Sequence, residues 1–310
     1  MCGGRELRPR VAPRTWVGER DFGSLRGSLG VSCCAACGFV FVNPRPGAPL
    51  LEAFYGGPDY AFHDPCAIAS GEPRGLEVLG LLARRLAGRR LLDFGCGAGM
   101  LLRCAARSGW VATGFDVAAP AVQACRLQGL DATADLASLP PAGFDAVVLH
   151  HVLEHLSEPR QALGAVRALL APGGRLFVEV PNVRSLRARL SPPLLVRHAR
   201  FDERFRAFPI HLSYFDPRTL SRLLAAEGFL VEAGTTRGAG LDVLLREPEP
   251  GAAAASTAGA TVPGAALATR PGLLERLVRA AKPVAKPLLR RLLLERGLGE
   301  NVVVLARVSG

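Results

Sequence analysis

Between Arg90 and Val180 the chain repeats one pattern, in which a short apolar run gives way to a stretch with apolar residues at helical spacing and then to another apolar run. The runs fall at 90–94, 111–115, 144–149 and 175–180, with helix-like stretches near 99–108, 119–128 and 158–170. A strand that is apolar on both faces needs cover on both faces, and each intervening stretch is long enough to cross back over the strands as a helix. The alternation predicts an α/β fold built on a parallel sheet. A further helix at 217–227 and strands at 229–234 and 301–308 extend it.

The remainder of the 310 residues divides by composition. Residues 1–45 read as a small module rich in Gly and Cys, with a strand-like Phe39-Val40-Phe41-Val42 and a break at Pro44 and Pro46. Residues 46–85 read as a helical lead-in, 86–246 as the core with an acceptor cap at 183–215, and 272–310 as basic helices followed by the final strand. Between them 247–271 is dominated by Ala, Gly, Pro, Thr and Ser, which cannot supply a packed core and predict a flexible linker. There is no internal repeat. No apolar run reaches the roughly 18 residues of a membrane span and no apolar leader opens the chain, so residence in the cytoplasm is expected. Eight scattered cysteines fit reduced thiols or a metal site better than a disulfide framework.

The first strand of the core runs into Leu91-Leu92-Asp93-Phe94-Gly95-Cys96-Gly97-Ala98-Gly99, with glycines where the chain must turn tightly and a ligand can approach backbone. Asp93, two positions before the first glycine, would repel the pyrophosphate of a dinucleotide but suits the ammonium group of S-adenosylmethionine (SAM). Asp116 ends the next strand, 21 residues after Gly95, where a carboxylate can accept hydrogen bonds from two ribose hydroxyls. Asp135 is placed to serve the adenine amino group. Gly95, Gly97 and Gly99, with Cys96, Val117 beside Asp116 and Leu136 beside Asp135, complete the expected cofactor set.

Asp93–Gly99, Asp116, Phe144–Leu149, Leu153-Glu154-His155 and Leu170-Ala171-Pro172-Gly173-Gly174 resemble, in order and spacing, the successive motifs of class I SAM-dependent methyltransferases. The resemblance covers about residues 75–235 and the last strand. It implies a Rossmann-like seven-stranded sheet whose final strand, 301–308, runs antiparallel, and transfer of a methyl group to oxygen or carbon of a small-molecule acceptor.

Methyl transfer from a sulfonium is a direct displacement, so a base is needed only where the acceptor must lose a proton. The fourth strand ends in His150-His151-Val152-Leu153-Glu154-His155, at the strand edge where open α/β sheets place their chemistry. His151 is the first candidate base and His150 the second. His151-x-x-Glu154-His155 also spells the pattern of inverted zinc peptidases, a reading its place in the motif series argues against. Some ubiquinone-pathway and small-RNA methyltransferases carry Glu-x-x-Glu-His and a later His around a divalent ion. By that resemblance Glu154, His155 and His211 are candidate ligands, with His151 standing where the pattern has its first carboxylate. The alternative is that Glu154-His155 anchors the loop by hydrogen bonds.

Cys34-x-x-Cys37-Gly38 has the spacing of a zinc knuckle. Cys2-Gly3-Gly4 is similar to the tail of a second knuckle, as in sugar C-methyltransferases with an amino-terminal zinc module. Cys2, Cys34 and Cys37 are therefore candidate ligands of a structural Zn²⁺, with Cys33 also at hand and buried thiols as the alternative. Arginines at 184, 187, 189, 197, 200, 204 and 206, with His198 and Phe201, lie in the expected acceptor cap and favour an anionic or phosphate-bearing acceptor, or else form a solvated face. Tyr55, Tyr60 and Tyr214 could join the same pocket. The net charge of +11 and the basic, leucine-rich 272–296 allow peripheral contact with an anionic membrane, or packing on the chain's own sheet edge or a twin subunit. Nucleic acid is disfavoured, because the fourth strand lacks the Asn/Asp-Pro-Pro-Tyr/Phe box of enzymes that methylate bases and no RNA-recognition aromatic motif is present. A non-catalytic SAM- or nucleotide-binding assembly protein is the alternative from a different class.

Overall fold

The computed structural model describes residues 2, 4–16, 27–55, 65–190, 210–238 and 289–309. The expected linker at 247–271, the basic stretch at 272–288, Tyr60, and Arg197, His198, Arg200, Phe201, Arg204 and Arg206 of the cap lie outside these residues.

In chain order the amino-terminal part holds strands β1 (Leu7–Trp16), β2 (Gly27–Cys34) and β3 (Val40–Asn43), then helices α1 (Ala48–Tyr55) and α2 (Pro65–Ala83). The core follows as β4 (Arg90–Phe94), α3 (Met100–Arg107), β5 (Val111–Phe115), α4 (Ala119–Leu127), β6 (Ala132–Thr133), β7 (Phe144–His150), α5 (Pro159–Leu169) and β8 (Leu170–Pro181). Beyond it come α6 (Leu186–Leu190), β9 (Ser213–Tyr214), α7 (Pro217–Ala226), β10 (Phe229–Arg237), a helical turn pair at 289–295 and β11 (Asn301–Val308).

Seven strands form the main sheet in the order β10-β11-β8-β7-β4-β5-β6. Strands β4 to β8 pair in parallel, and β11 runs antiparallel to both β8 and β10. This is the Rossmann-like α/β sheet with an antiparallel last strand that the sequence led us to expect. Side chains alternate across each strand, so one face carries Leu91, Ala146, Val148 and Phe177 against Val78, Leu79 and Leu82 of α2 and Leu101 of α3. The other carries Leu92, Val147, Leu149 and Val178 against Leu163 and Val166 of α5 and Leu220 and Leu224 of α7. Two-sided burial explains why these strands are unbroken apolar runs.

A second, four-stranded antiparallel sheet has the order β1-β2-β3-β9. Three of its strands lie within residues 1–45 and pair with one another, and the outer one, β3, also pairs with β9, at Val40↔Tyr214 and Phe41↔Ser213, from the far end of the cap. Leu29, Val31, Val42, Leu51, Leu212 and Tyr214 close a small core beneath it. Two differences from the sequence reading are local. β8 begins at Leu170 rather than 175, and β1 and β2 were not apparent. Among the described residues no helix is long and apolar enough to cross a membrane.

Candidate active site

The turn from β4 to α3 lies at the carboxyl edge of the parallel strands. The Gly95 and Cys96 N–H groups donate to the Phe115 carbonyl at 2.7 and 3.0 Å, tying the loop to β5. Gly95, Gly97 and Gly99 all adopt positive φ (82°, 49° and 79°), the left-handed region that favours glycine. Their surroundings differ. A Cβ at Gly95 would lie 2.4 Å from Val152 Cγ2, and one at Gly99 2.7 Å from Leu130 Cδ1, whereas one at Gly97 meets nothing within 4 Å. Gly95 and Gly99 are glycines because protein presses on them, and Gly97 faces open space.

Asp93, the penultimate residue of β4 before the loop, is buried. Burial and the neighbouring Asp116 charge push its carboxyl up to about 7. Asp116 is held by backbone, accepting from Gly97 N–H (2.9 Å) on one oxygen and Ala118 N–H (2.9 Å) on the other, which leaves a second lone pair on each. Burial raises its pKa as well. Two neighbouring carboxylates at the glycine turn favour a cationic group there. Asp135 is exposed and accepts the Ala137 N–H at 2.9 Å as the cap of a single 3₁₀ turn at Leu136–Ser138; Val117 is exposed and Leu136 is partly buried against the core. Cys96 is buried, 4.0 Å from Cys125 Sγ, which itself donates to the Gly97 carbonyl at 3.2 Å.

Val152, which touches the loop at Gly95, belongs to the segment carrying the candidate bases, so the two halves of the site are in contact. His151 follows β7 with φ of 57°, a left-handed conformation that is strained for a β-substituted residue. Its N–H donates to the Glu179 carbonyl (2.9 Å) and its Nδ1 lies 3.3 Å from Glu154 Oε1. The buried Glu154 carboxylate selects the tautomer with the proton on Nδ1 and leaves Nε2 as the acceptor. Burial by itself would depress this imidazole, but the Glu154 hydrogen bond and the Glu154 and Glu179 charges together hold it above its ordinary value. His150 is the opposite case, since burial and then the His151 charge push it down to about 4. The structure therefore separates the two candidates, with one basic ring on a carboxylate and one neutral ring.

Glu179, Arg74 and Asn301 escaped the sequence reading. Arg74 Nε donates to Glu179 Oε2 at 2.8 Å, its Nη2 reaches the same oxygen, and Asn301 Nδ2 donates to Oε1 at 3.1 Å. His150 Nε2 lies 3.7 Å from Glu179. The available signal was one acid inside the apolar run Leu176-Phe177-Val178-Glu179-Val180.

Glu154, His155 and His211 come together, their ligating atoms within 4.8 Å of one another and the His155 and His211 rings edge to face at 4.7 Å. Glu154 Oε2 and His155 Nδ1 are buried without hydrogen-bond partners among the described residues. The Glu154 carbonyl accepts from Leu212 (2.8 Å) and Ser213 (3.0 Å) N–H, so the segment that carries His211 into β9 is fastened to the Glu154 turn. Cys2, Cys34 and Cys37 form a separate cluster in the second sheet. There the Gly4 N–H, followed by Cys37 and Cys34, holds the Cys2 thiol down at about 7. Of the cap arginines, Arg184 pairs with Asp216 at 3.5 Å and Arg189 Nε donates to the Arg184 carbonyl. Tyr214 is buried in β9, which pushes its hydroxyl pKa up, and Tyr55 packs on the same small core.

A family model described as a methyltransferase domain matches residues 68–233, more than half of the chain. Over 107 residues the chain is 41% identical to the ubiquinone biosynthesis O-methyltransferase of Xylella fastidiosa (strain 9a5c), covering 31% of this chain and 44% of that protein. It is 39% identical over 107 residues to the protein of the same name from Xanthomonas oryzae pv. oryzae (strain PXO99A), covering 31% and 45%. The chain thus spans less than half the length of the curated relatives it matches. Among solved structures, the Burkholderia thailandensis 1,6-didemethyltoxoflavin-N1-methyltransferase superposes with a TM-score of 0.50 over 89% of this chain and 97% of that one at 18% identity, a likeness of fold. The matched domain carries the glycine loop, both carboxylates and the His151–Glu154 pair, and by it the chain belongs to the methyltransferase-domain family, with the sheet of the class I, SAM-dependent branch.

Proposed function

We propose that this chain transfers a methyl group from SAM to an oxygen or carbon of a small metabolite, with Asp93, Gly95, Cys96, Gly97, Gly99 and Asp116 forming the donor site and His151 acting as base. The observation that carries this reading is Asp93, a buried carboxylate close enough to Asp116 for the two charges to act on each other, at the end of the strand that runs into the left-handed glycine turn. An ammonium group there would satisfy the carboxylate, and the free lone pairs of Asp116 suit ribose hydroxyls. When bound, SAM supplies an electrophilic methyl group on a sulfonium. The protein's own tasks are to align the acceptor with it and to remove the acceptor's proton at His151 Nε2 while Glu154 steadies the charge that forms on the ring. Asp135 has its own capping bond, and its remaining oxygen is the one available to an adenine amino group.

The curated relatives are named for O-methylation, which favours oxygen as the atom methylated. Calorimetry with SAM and S-adenosylhomocysteine tests the donor site, and release of S-adenosylhomocysteine over a panel of hydroxylated acceptors tests turnover. Heat without turnover on any acceptor would favour the non-catalytic alternative. Absence of heat on folded protein would remove both.

The orphaned Glu154 Oε2 and His155 Nδ1 support a second reading in which Glu154, His155 and His211 hold a divalent ion that polarises an acceptor hydroxyl. Two imidazoles and one carboxylate fit Mn²⁺, Fe²⁺ or Zn²⁺ better than Mg²⁺, which prefers an all-oxygen shell. Titration of the chelator-treated protein with Mn²⁺ checks it, and absence of binding returns Glu154-His155 to loop anchoring.

A further inference from the structure

We propose that Arg74 and Glu179 act as positioning residues for His151: a guanidinium of α2 clamps a buried carboxylate of β8, whose residue holds the backbone of the candidate base and flanks the ring beside it. The effect on turnover rests on the function proposed above; the effect on the two histidine rings does not.

Glu179 stands in the apolar run 176–180 with its side chain only 4% exposed, a costly place for a charge. Side chains alternate along β8, so Glu179 shares a face with Phe177, which packs against Val78, Leu79 and Leu82 of α2. An apolar residue at 179 would extend that contact. The helix instead supplies a cation one turn before Val78. Arg74 donates to Glu179 Oε2 through Nε at 2.8 Å and through Nη2, with its Cζ 5.4 Å from the centre of the Phe177 ring. Asn301 Nδ2, at the start of β11, donates to Oε1 at 3.1 Å. A buried ion pair seldom stabilises a fold more than apolar residues of the same volume would, so stability is a poor reason for this one.

Its surroundings give a better reason. The Glu179 carbonyl accepts the His151 N–H at 2.9 Å, and His151 has a φ of 57°, a conformation that persists only where its neighbours fix it. On β7, His150 lies opposite Glu179 in register, with Nε2 3.7 Å from Oε2 and its ring centre 4.8 Å from that of His151. With two Arg74 donors on Oε2, that oxygen stays beyond normal hydrogen-bond distance of His150. Glu179 thus reaches the base twice, through its backbone and through the neighbouring ring, and Arg74 fixes Glu179. Glu154 orients the imidazole at Nδ1, while Glu179 fixes the backbone from which it projects.

The test uses the whole chain and compares Arg74→Ala with an apolar pair, Arg74→Met with Glu179→Leu. Each should lower kcat by roughly a hundredfold, with KM and SAM affinity within about threefold of the parent. The apolar pair leaves no charge unpartnered, so its Tm should equal or exceed that of the parent, which separates positioning from folding. Added guanidinium should restore part of the kcat of Arg74→Ala and none of that of the apolar pair. Glu77→Gln removes an exposed partner of the same arginine at 3.1 Å and should keep kcat within about twofold. Independently of turnover, the ring-proton NMR signals of His150 and His151, assigned with His150→Gln and His151→Gln, should shift in the apolar pair. An apolar pair with parental Tm and unmoved ring signals, or with parental Tm and parental kcat, overturns the proposal. Ring signals that shift as expected in a chain that gives no heat with SAM would instead count against the methyltransferase reading alone.

Discussion

Asp93 is the residue on which charge is least balanced. Its raised pKa means that the unliganded fold holds a proton there more tightly than the unfolded chain does. Unliganded stability therefore falls as pH rises from the ordinary carboxylate range through about 7, and a cation in the site restores it. Binding of SAM must expel that proton at low pH. We expect affinity to strengthen from about pH 6 to about pH 7.5, with the SAM-induced shift in Tm growing in step, and Asp93→Asn to abolish the trend while costing about 1.5–3 kcal/mol of binding. A flat calorimetric profile in the parent would remove Asp93 from the donor site. Gly95 and Gly97 make a paired prediction. Gly97→Leu should reduce SAM binding severely and lower Tm only by the cost of its left-handed backbone, about 1–2 kcal/mol, whereas Gly95→Val, left-handed and also driven into Val152, should lower binding and cost more in Tm. His151→Ala should lower turnover by roughly a hundredfold or more while leaving SAM affinity near that of the parent, read by single-turnover kinetics and calorimetry. At this scale much was legible. The glycines and Asp93 are set by local backbone and by the position of the first strand, which spacing encodes. Asp135 was read from position alone, and sequence gave no view of its capping bond. Glu179 was invisible as a site residue because its partners Arg74 and Asn301 are 105 and 122 positions away.

Elements whose sequence carries a strong period were readable nearly to the residue, as β4, β5 and β11 show. Those defined by their partners were not. Strand β1 contains Arg8, Pro9, Arg10, Pro13 and Arg14, a composition that argues against a strand until β2 supplies the pairing. Strand β9 is two residues long, too short for any pattern, and exists because β3 lies beside it. Helix α7 is a case where local chemistry is explicit: Asp216 accepts the Thr219 N–H at 2.8 Å while Thr219 Oγ1 accepts the Asp216 N–H at 2.9 Å. Because this helix covers β10 and β11 and abuts the cysteine cluster through Arg222, its start matters to both sheets. Asp216→Ala should cost about 1–2 kcal/mol and lower Tm by a few degrees in a thermal melt. An unchanged Tm would show that packing of Leu220, Leu223 and Leu224 holds the helix without the cap.

At the scale of the whole molecule, a charge of +11 on 310 residues comes almost entirely from arginine, which gives the surface a long-range pull on anions that salt weakens. Charge sign was readable from composition; which face carries apolar anchors was not, because that depends on how the helical residues 289–295 dock. Leu293 is buried with Leu186 and Leu298, fixing one side of this helix to the body. Leu289 and Leu292 remain exposed beside Arg290 and Arg291, and Arg291 is only partly occupied by an exposed pair with Glu295 at 2.8 Å. Apolar side chains flanked by arginines on an outward face are suited to the interface of an anionic bilayer, where each basic residue contributes about 1 kcal/mol and the leucines add apolar burial. The expected outcome is co-flotation with vesicles containing phosphatidylglycerol at low ionic strength, release at several-fold higher salt, and no flotation with neutral phosphatidylcholine. Leu289→Ser with Leu292→Ser should weaken flotation at every salt concentration, whereas Arg290→Gln with Arg291→Gln should mainly flatten the salt dependence. Neither pair touches the donor site, so SAM binding should persist in both. Flotation that is equal on neutral and anionic vesicles, or unchanged by both double variants, would mean that this face does not meet a membrane.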